Sequence, residues 1–173
     1  MGREIKLVNK SLVMSLLING SVWSADTVNL NVTGNIIASP CVFNNGDDNK
    51  NINLGEFQAT NMKTAGSSSD PVAFSLLFTQ CPAGTRSVTV TFTGTPDPSA
   101  GSDYYMNSGT AKNIAIALTD TDSGALKGNG SSISRTITNR MATMAMQANI
   151  RSVEGNVMPG TVSAVVVVTM QYN

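Results

Sequence analysis

The chain has 173 residues, of which 41% are hydrophobic, 13% charged and 5% aromatic, enough for one globular domain with a modest core. Its formal net charge is zero, so no nucleic-acid partner is expected, since that would need a basic patch. Histidine is absent, which excludes His-based catalytic triads and His-ligated metals.

The N-terminus carries Arg3, Lys6 and Lys10, then the apolar run Leu12 to Ile18, then Val22-Trp23-Ser24-Ala25. A positive start, a short apolar stretch and small residues at its end describe a secretory signal peptide over residues 1–24. The apolar run is shorter than the roughly 20 residues that span a bilayer. Cleavage after Ser24 puts Val22 and Ser24 where small residues are required; cleavage after Ala25, the alternative, would put Trp23 in one of those places. In an exported chain the two cysteines, Cys41 and Cys81, are expected to pair. Closing that loop stabilises by roughly 4 kcal/mol on the chain-entropy account. Two cysteines without histidine are too few soft ligands for a metal, and no cofactor is expected.

Residues 25–36 read A-D-T-V-N-L-N-V-T-G-N-I. Val28, Leu30, Val32, Gly34 and Ile36 alternate with Asn29, Asn31, Thr33 and Asn35, so an extended strand would place the two sets on opposite faces. Such a strand needs a sheet to join, either its own or a neighbour's.

Beyond it the chain alternates short apolar segments with polar turns. Asn35 to Pro40 continues the opening strand into Cys41, and Asn44 to Asn51 is a polar loop. A short strand is expected over Ile52 to Phe57, then a flexible loop over Thr60 to Asp70. Pro71 to Cys81 is a strand with Val72, Phe74, Leu76 and Phe78 on one face, and Ser87 to Thr93 is another with Val88, Val90 and Phe92 inward. Gly94 to Gly109, with Pro96, Pro98 and the pair Tyr104-Tyr105, reads as a long loop. Further strands are expected around Ile114 to Leu118, at Leu126, over Ile133 to Ile137 and over Met141 to Val153. The last run, Thr161 to Asn173, carries Val162, Ala164, Val166, Val168, Met170 and Tyr172 on one face. Val165 and Val167 point the other way, so its middle is apolar on both sides, as for a strand between two neighbours. Strands every 10 to 20 residues with almost no helical pattern predict an all-β, immunoglobulin-like antiparallel sandwich.

Several motifs in order resemble the pilin subunits of chaperone–usher fimbriae, and within them the minor tip subunits of the type 1 kind. N-V-T-G-N-I-I-A-S-P-C leads into the first cysteine, and T-Q-C-P-A-G-T surrounds the second. S-G-T-A-K-N-I-A-I follows, then Gly160 fourteenth from the end and Tyr172 in the penultimate place. The resemblance covers residues 25 to 173. It implies an incomplete sandwich that lacks its final strand and is completed by donor-strand complementation. Residues 25–36 would be the donor extension, with Val28, Leu30, Val32, Gly34 and Ile36 inserting into the next subunit, and 37–173 the pilin domain. The acceptor groove and chaperone-binding residues would be Gly160, Val166, Val168, Met170, Tyr172 and Asn173, the last through its carboxylate. Cys41 and Cys81 would join the first two strands.

The implied partners are neighbouring fimbrial subunits, a periplasmic chaperone and an outer-membrane usher, with no small-molecule substrate. The implied route runs through the periplasm to a fimbrium at the cell surface, supporting adhesion. Burying Val28, Leu30, Val32 and Ile36 would contribute roughly 6–12 kcal/mol before ordering costs. Gly34, lacking a side chain, would allow close backbone approach.

The alternative the resemblance leaves open is a carbohydrate-binding fimbrial adhesin. Its lectin domain is not expected in a chain of this length, although Tyr104-Tyr105 offers a pair of rings to a sugar. An enzyme is not expected. Asp97 and Asp103, the nearest approach to a glycosidase acid pair, fall in the expected loop with nothing to raise a pKa. Asp120-Thr121-Asp122-Ser123-Gly124 has the spacing of a calcium loop but lacks its distal glutamate, so a turn is expected there.

Overall fold

The computed structural model describes Asn31, Thr33, Gly34 and residues 40–173, and the fold is that of residues 40–173. The expected leader (1–24) and the strand continuing from Asn35 towards Pro40 lie outside the described residues, as does most of the 25–36 extension. Among the described residues no helix is long and apolar enough to cross a membrane.

Among the described residues, alternating sequence builds nine strands: β1 (Val42–Phe43), β2 (Val72–Thr79), β3 (Ser87–Gly94), β4 (Pro96–Asp97), β5 (Gly101–Met106), β6 (Ile114–Asp120), β7 (Ser132–Thr136), β8 (Ala142–Ser152) and β9 (Val166–Tyr172). All pairings are antiparallel. One sheet has the order β1-β2-β8-β6-β5-β4, the other β7-β3-β9. A single core joins them: Leu76, Phe78, Tyr105, Ile116, Leu118, Met144 and Met146 from the first sheet pack with Val88, Val90, Phe92 and Ile133 from the second. The architecture is an immunoglobulin-like sandwich, as the period of two requires. The inward faces expected on β2 and β3 are the observed ones: Leu76 and Phe78 are buried, and Val88, Val90 and Phe92 are 0%, 0% and 1% exposed.

Cys41 and Cys81 are bonded, with Cα atoms 4.2 Å apart across a separation of 40 residues. They bracket the β1–β2 pair, where Phe43 stacks on Phe78 with ring centroids 5.4 Å apart. The β7–β8 connection crosses from one sheet to the other through Asn139-Arg140. Both residues have positive φ (52° and 62°), and Thr138 and Met141 exchange both backbone bonds around them (2.9 and 3.0 Å). That is the primed two-residue turn whose twist suits antiparallel strands. Its Arg140 is also tied to the disulfide: Arg140 Nε donates to the Cys81 carbonyl at 2.9 Å, and the Arg140 carbonyl accepts the Cys81 N–H at 3.1 Å.

Four expectations need correction. Residues 52–57 form no strand; the Asn53 side chain accepts the Gly55 N–H at 2.9 Å, folding the backbone into a local turn that breaks the alternation. Ile52 and Leu54 still pack against the core. The Thr60 to Asp70 segment is tied down rather than loose: Gly66 and Ser69 donate to Ser152 and Ile150 (both 2.9 Å), and Ser152 donates to Ser67 (2.7 Å). Residues 94–109 hold the β4–β5 hairpin instead of a loop. There Asp97 Oδ1 accepts the N–H groups of Ser99 (2.9 Å) and Ala100 (2.8 Å), Gly101 supplies a φ of 94°, and Tyr105 enters the core. Leu126 makes only an isolated bridge to Thr119.

The acidic turn after β6 staples the two sheets. Asp120 Oδ1 and Asp122 Oδ2 both meet Arg135 Nη2 on β7, at 2.8 and 2.9 Å, and the Ser123 hydroxyl donates to Asp120 Oδ2 at 2.7 Å. Burial alone would push the Asp120 carboxyl up, but the Ser123 hydroxyl and the Arg135 guanidinium outweigh it and hold the carboxyl below its usual range.

Arg135→Ala leaves that carboxylate buried without its cation. The variant is expected to lose about 1.5–3 kcal/mol by denaturant titration at neutral pH. A lowered folded-state pKa contributes stability that is complete above the unfolded value of about 3.9 and is lost as pH falls through the folded one. The difference from the parent chain should therefore persist at mildly acidic pH and shrink in strong acid.

Candidate functional site

The last strand follows from its sequence: four consecutive valines (165–168) and alternating Thr169, Met170, Gln171, Tyr172 favour an extended backbone. Its partner is β3, in the register Val88↔Tyr172 through Gly94↔Val166. Here the structure departs from a strand flanked on both sides. Among the described residues β9 has a neighbour on one side only. It also begins at Val166 rather than Thr161. The preceding residues bond to the segment after β5 instead: Ala111 N–H donates to the Thr161 carbonyl (3.1 Å), Ser108 N–H to the Ser163 carbonyl (2.8 Å), and Ser163 N–H to Asn107 Oδ1 (2.8 Å).

The phase of the ladder decides which groups the open edge presents. Asn173 and Ser87 exchange both backbone bonds: Asn173 N–H donates to Ser87 O at 3.0 Å and Ser87 N–H to Asn173 O at 3.1 Å. In an antiparallel pair such reciprocal bonding recurs at every second residue. Gln171, Thr169 and Val167 therefore turn their N–H and C=O groups towards β3. Tyr172, Met170, Val168 and Val166 turn theirs the other way, to the open edge. Gly94 and Phe92 on β3 agree with this phase, since their N–H groups point away from β9, to Asn129 Oδ1 (3.1 Å) and the Ser131 carbonyl (2.9 Å).

The side chains of those same four residues face the core but are only half-buried. Val162 and Ala164 before the strand, and Phe43, Ile52, Leu54 and Phe74 elsewhere on the core's margin, are half-buried too. Val165 and Val167 point outward, 77% and 58% exposed. Among the described residues, one strip thus combines backbone groups without a strand partner and incompletely covered apolar side chains. That combination is a template for an added strand.

Tyr172 closes the strip. Its hydroxyl donates to Met170 Sδ at 3.5 Å. Burial pushes the phenol up, and the Cys41 backbone pulls it partly back, which brings the end of β9 beside the disulfide. Asn173 sits at the mouth of β3, its carbonyl oxygen accepting the N–H groups of both Arg86 and Ser87.

The structure thus brings Val166, Val168, Met170, Tyr172 and Asn173 together along one strand. Gly160 lies apart from them: a Cβ there would run into the backbone of Thr110 and Ala111. Of the extension, Gly34 is described and exposed; Val28, Leu30, Val32 and Ile36 lie outside the described residues. The marginal residues Phe43, Leu54, Phe74, Val162 and Ala164 were not assigned to a site from sequence, because alternation reports a strand's face and not how completely it is covered. The tyrosine pair offers no stacked platform. Tyr105 is buried, its hydroxyl donating to the Lys127 carbonyl at 2.9 Å, and burial pushes its pKa up to about 12. Tyr104 lies against the Arg151 guanidinium, 5.5 Å from the ring centroid.

Comparison with known proteins agrees with this geometry. The family model described as "Fimbrial protein" matches residues 30–173. The chain belongs to the fimbrial protein family. It is 33% identical to the fimbrial-like protein FimF of Salmonella typhimurium over 87% of both chains. It is 35% identical to the S-fimbrial adhesin protein SfaS of Escherichia coli over 94% of this chain and 98% of that one. Among solved structures, the P pilus rod subunit PapA superposes with a TM-score of 0.63 at 21% identity, covering 78% of this chain and all of PapA. This fimbrial subunit therefore shares the pilin fold.

Gly160→Ala is expected to destabilise the subunit by about 1–3 kcal/mol, since a methyl group must displace backbone. Thermal unfolding monitored by circular dichroism would show it as a lowered midpoint.

Proposed function

We propose that this structural fimbrial subunit assembles by strand exchange at the open edge of β9. A periplasmic chaperone lends a strand to that edge first, and the usher then hands the subunit to a neighbour whose extension replaces it. Residues 25–36 are the strand this subunit lends in turn, with Val28, Leu30, Val32 and Ile36 entering the neighbour and Gly34 admitting close backbone contact. Residues 37–173 are the accepting domain, and residues 1–24 are the leader that takes the chain to the periplasm on its way to the surface fimbrium. The work done is mechanical and adhesive, with no reaction catalysed.

The observation that carries this reading is the coincidence on β9. Val166, Val168, Met170 and Tyr172 supply both the half-covered side chains and N–H and C=O groups without a strand partner among the described residues. A strand laid there satisfies the ladder and completes the burial, adding about 1 kcal/mol for each side chain newly covered.

Deletion of residues 25–36 is expected to leave a subunit that folds with its chaperone but carries no further subunit. Immunoblots of sheared fimbriae should show it only at chain ends, and incorporation at internal positions would refute the assignment. Gly34→Leu is expected to slow subunit joining by at least about tenfold, because a side chain must be accommodated where backbones meet.

A second reading, sugar binding, has one observation behind it: the relative SfaS carries the name of an adhesin. A glycan array probed with the subunit, its edge filled by a peptide of sequence 25–36, is expected to show no specific sugar. Selective binding would make the subunit an adhesin as well.

A further inference from the structure

We propose that Met170 is an oxidation site that governs whether the open edge of β9 accepts a strand. This rests on the strand-acceptor reading above. Met170 is the one methionine on β9, and it belongs to the four residues whose backbone groups and side chains meet at the open edge. Its side chain is half-buried, and no strand covers it on that side among the described residues.

Four other methionines serve as internal references. Met144 and Met146 on β8 are 0% exposed in the closed core, whereas Met141 and Met158 are 50% and 58% exposed on the outside. The core pair is shielded in every state, and the exposed pair is open in every state. Met170, unlike these four, stands where the addition of a strand changes its access to solvent.

The chemistry is a two-electron oxygen transfer. A peroxide approaches the thioether, its O–O bond breaks and an S–O bond forms. The sulfur loses two electrons to become the sulfoxide, and hydrogen peroxide is reduced to water. The product replaces an apolar, pliable side chain with a strongly polar one. In the empty edge that oxygen has a donor beside it, since the Tyr172 hydroxyl already points at Met170 Sδ from 3.5 Å. An incoming strand of the 28–36 kind brings only Val, Leu and Ile side chains and the bare Gly34 to the same face. Covering a sulfoxide with them strips water from a strongly polar group and leaves it the Tyr172 hydroxyl as its one nearby donor. Oxidation therefore favours the unfilled edge, and strand addition in turn protects the sulfur.

The test uses the mature chain (residues 25–173) and a synthetic peptide of sequence 25–36 in saturating excess. Each sample is exposed to hydrogen peroxide, and sulfoxide is counted at each methionine by peptide mapping. Met141 and Met158 should oxidise alike with and without peptide, Met144 and Met146 in neither, and Met170 at least about fivefold more slowly when the peptide is bound. Peptide affinity for the oxidised chain should fall by roughly five- to hundredfold. Met170→Leu has no thioether to oxidise, so its affinity for the peptide, whatever its starting value, should be the same before and after peroxide.

Equal oxidation of Met170 with and without bound peptide would overturn the proposal. So would undiminished binding by a chain mapped as sulfoxide at that position. Failure of the peptide to bind even the untreated chain would sink the strand-acceptor reading itself, and this inference with it.

Discussion

The rest of the structure depends on the phase of one ladder. β9 is bonded to β3 through Asn173, Gln171, Thr169 and Val167, which turns the backbone of Tyr172, Met170, Val168 and Val166 to the edge that no described strand occupies. Had the reciprocal bonds fallen one residue earlier, the free N–H and C=O groups would belong to residues whose side chains face solvent. As it is, polar and apolar deficits lie on the same residues. A free edge alone is a hazard that proteins usually blunt with charge or proline, and β9 carries neither. An incompletely covered core face alone would invite collapse. Together they define a partner: an extended chain, apolar at every second position.

An open edge is useful only if the molecule around it holds its shape, and three constraints do this. The disulfide closes the β1–β2 end beside Tyr172. The Asn139-Arg140 turn crosses between sheets and anchors its arginine on the Cys81 carbonyl, so turn and disulfide reinforce one another. At the far side of the sandwich Asp120 and Arg135 hold β6 to β7 across the two sheets. Each joins elements distant in sequence, and the core beside β9 stays closed, with Val88, Val90 and Phe92 sealed.

Much of this was legible in the sequence because the period of two is a direct imprint of a sheet. The inward faces of β2 and β3 follow from it. The fold class and the pairing of Cys41 with Cys81 were likewise readable. What escaped is where local polar chemistry overrides pattern. Asn53 folds back on Gly55 and cancels an alternating stretch, while Asp97 and Gly101 make a hairpin out of a segment whose prolines announced a loop. For the site itself, alternation named Val166, Val168, Met170 and Tyr172 as one face. It was silent about neighbours: Val165 and Val167 suggested a strand enclosed on both sides, whereas they are exposed. Composition reports the two faces of a strand and says nothing of its two flanks.

The phase of β9 also bears on fidelity. Under the proposed strand exchange its receptive positions would recur at every second residue, and a visiting strand would be read by parity. A segment patterned like residues 28–36, shifted by one place, would press Asn29, Asn31 and Asn35 against an oily surface. Shifted by two, it would again offer valine and leucine, and only the blank left by Gly34 would tell the right position from its echo. A filament joined this way checks its own alignment at each step, with asparagine rejecting the odd offsets and a single missing side chain left to settle the even ones.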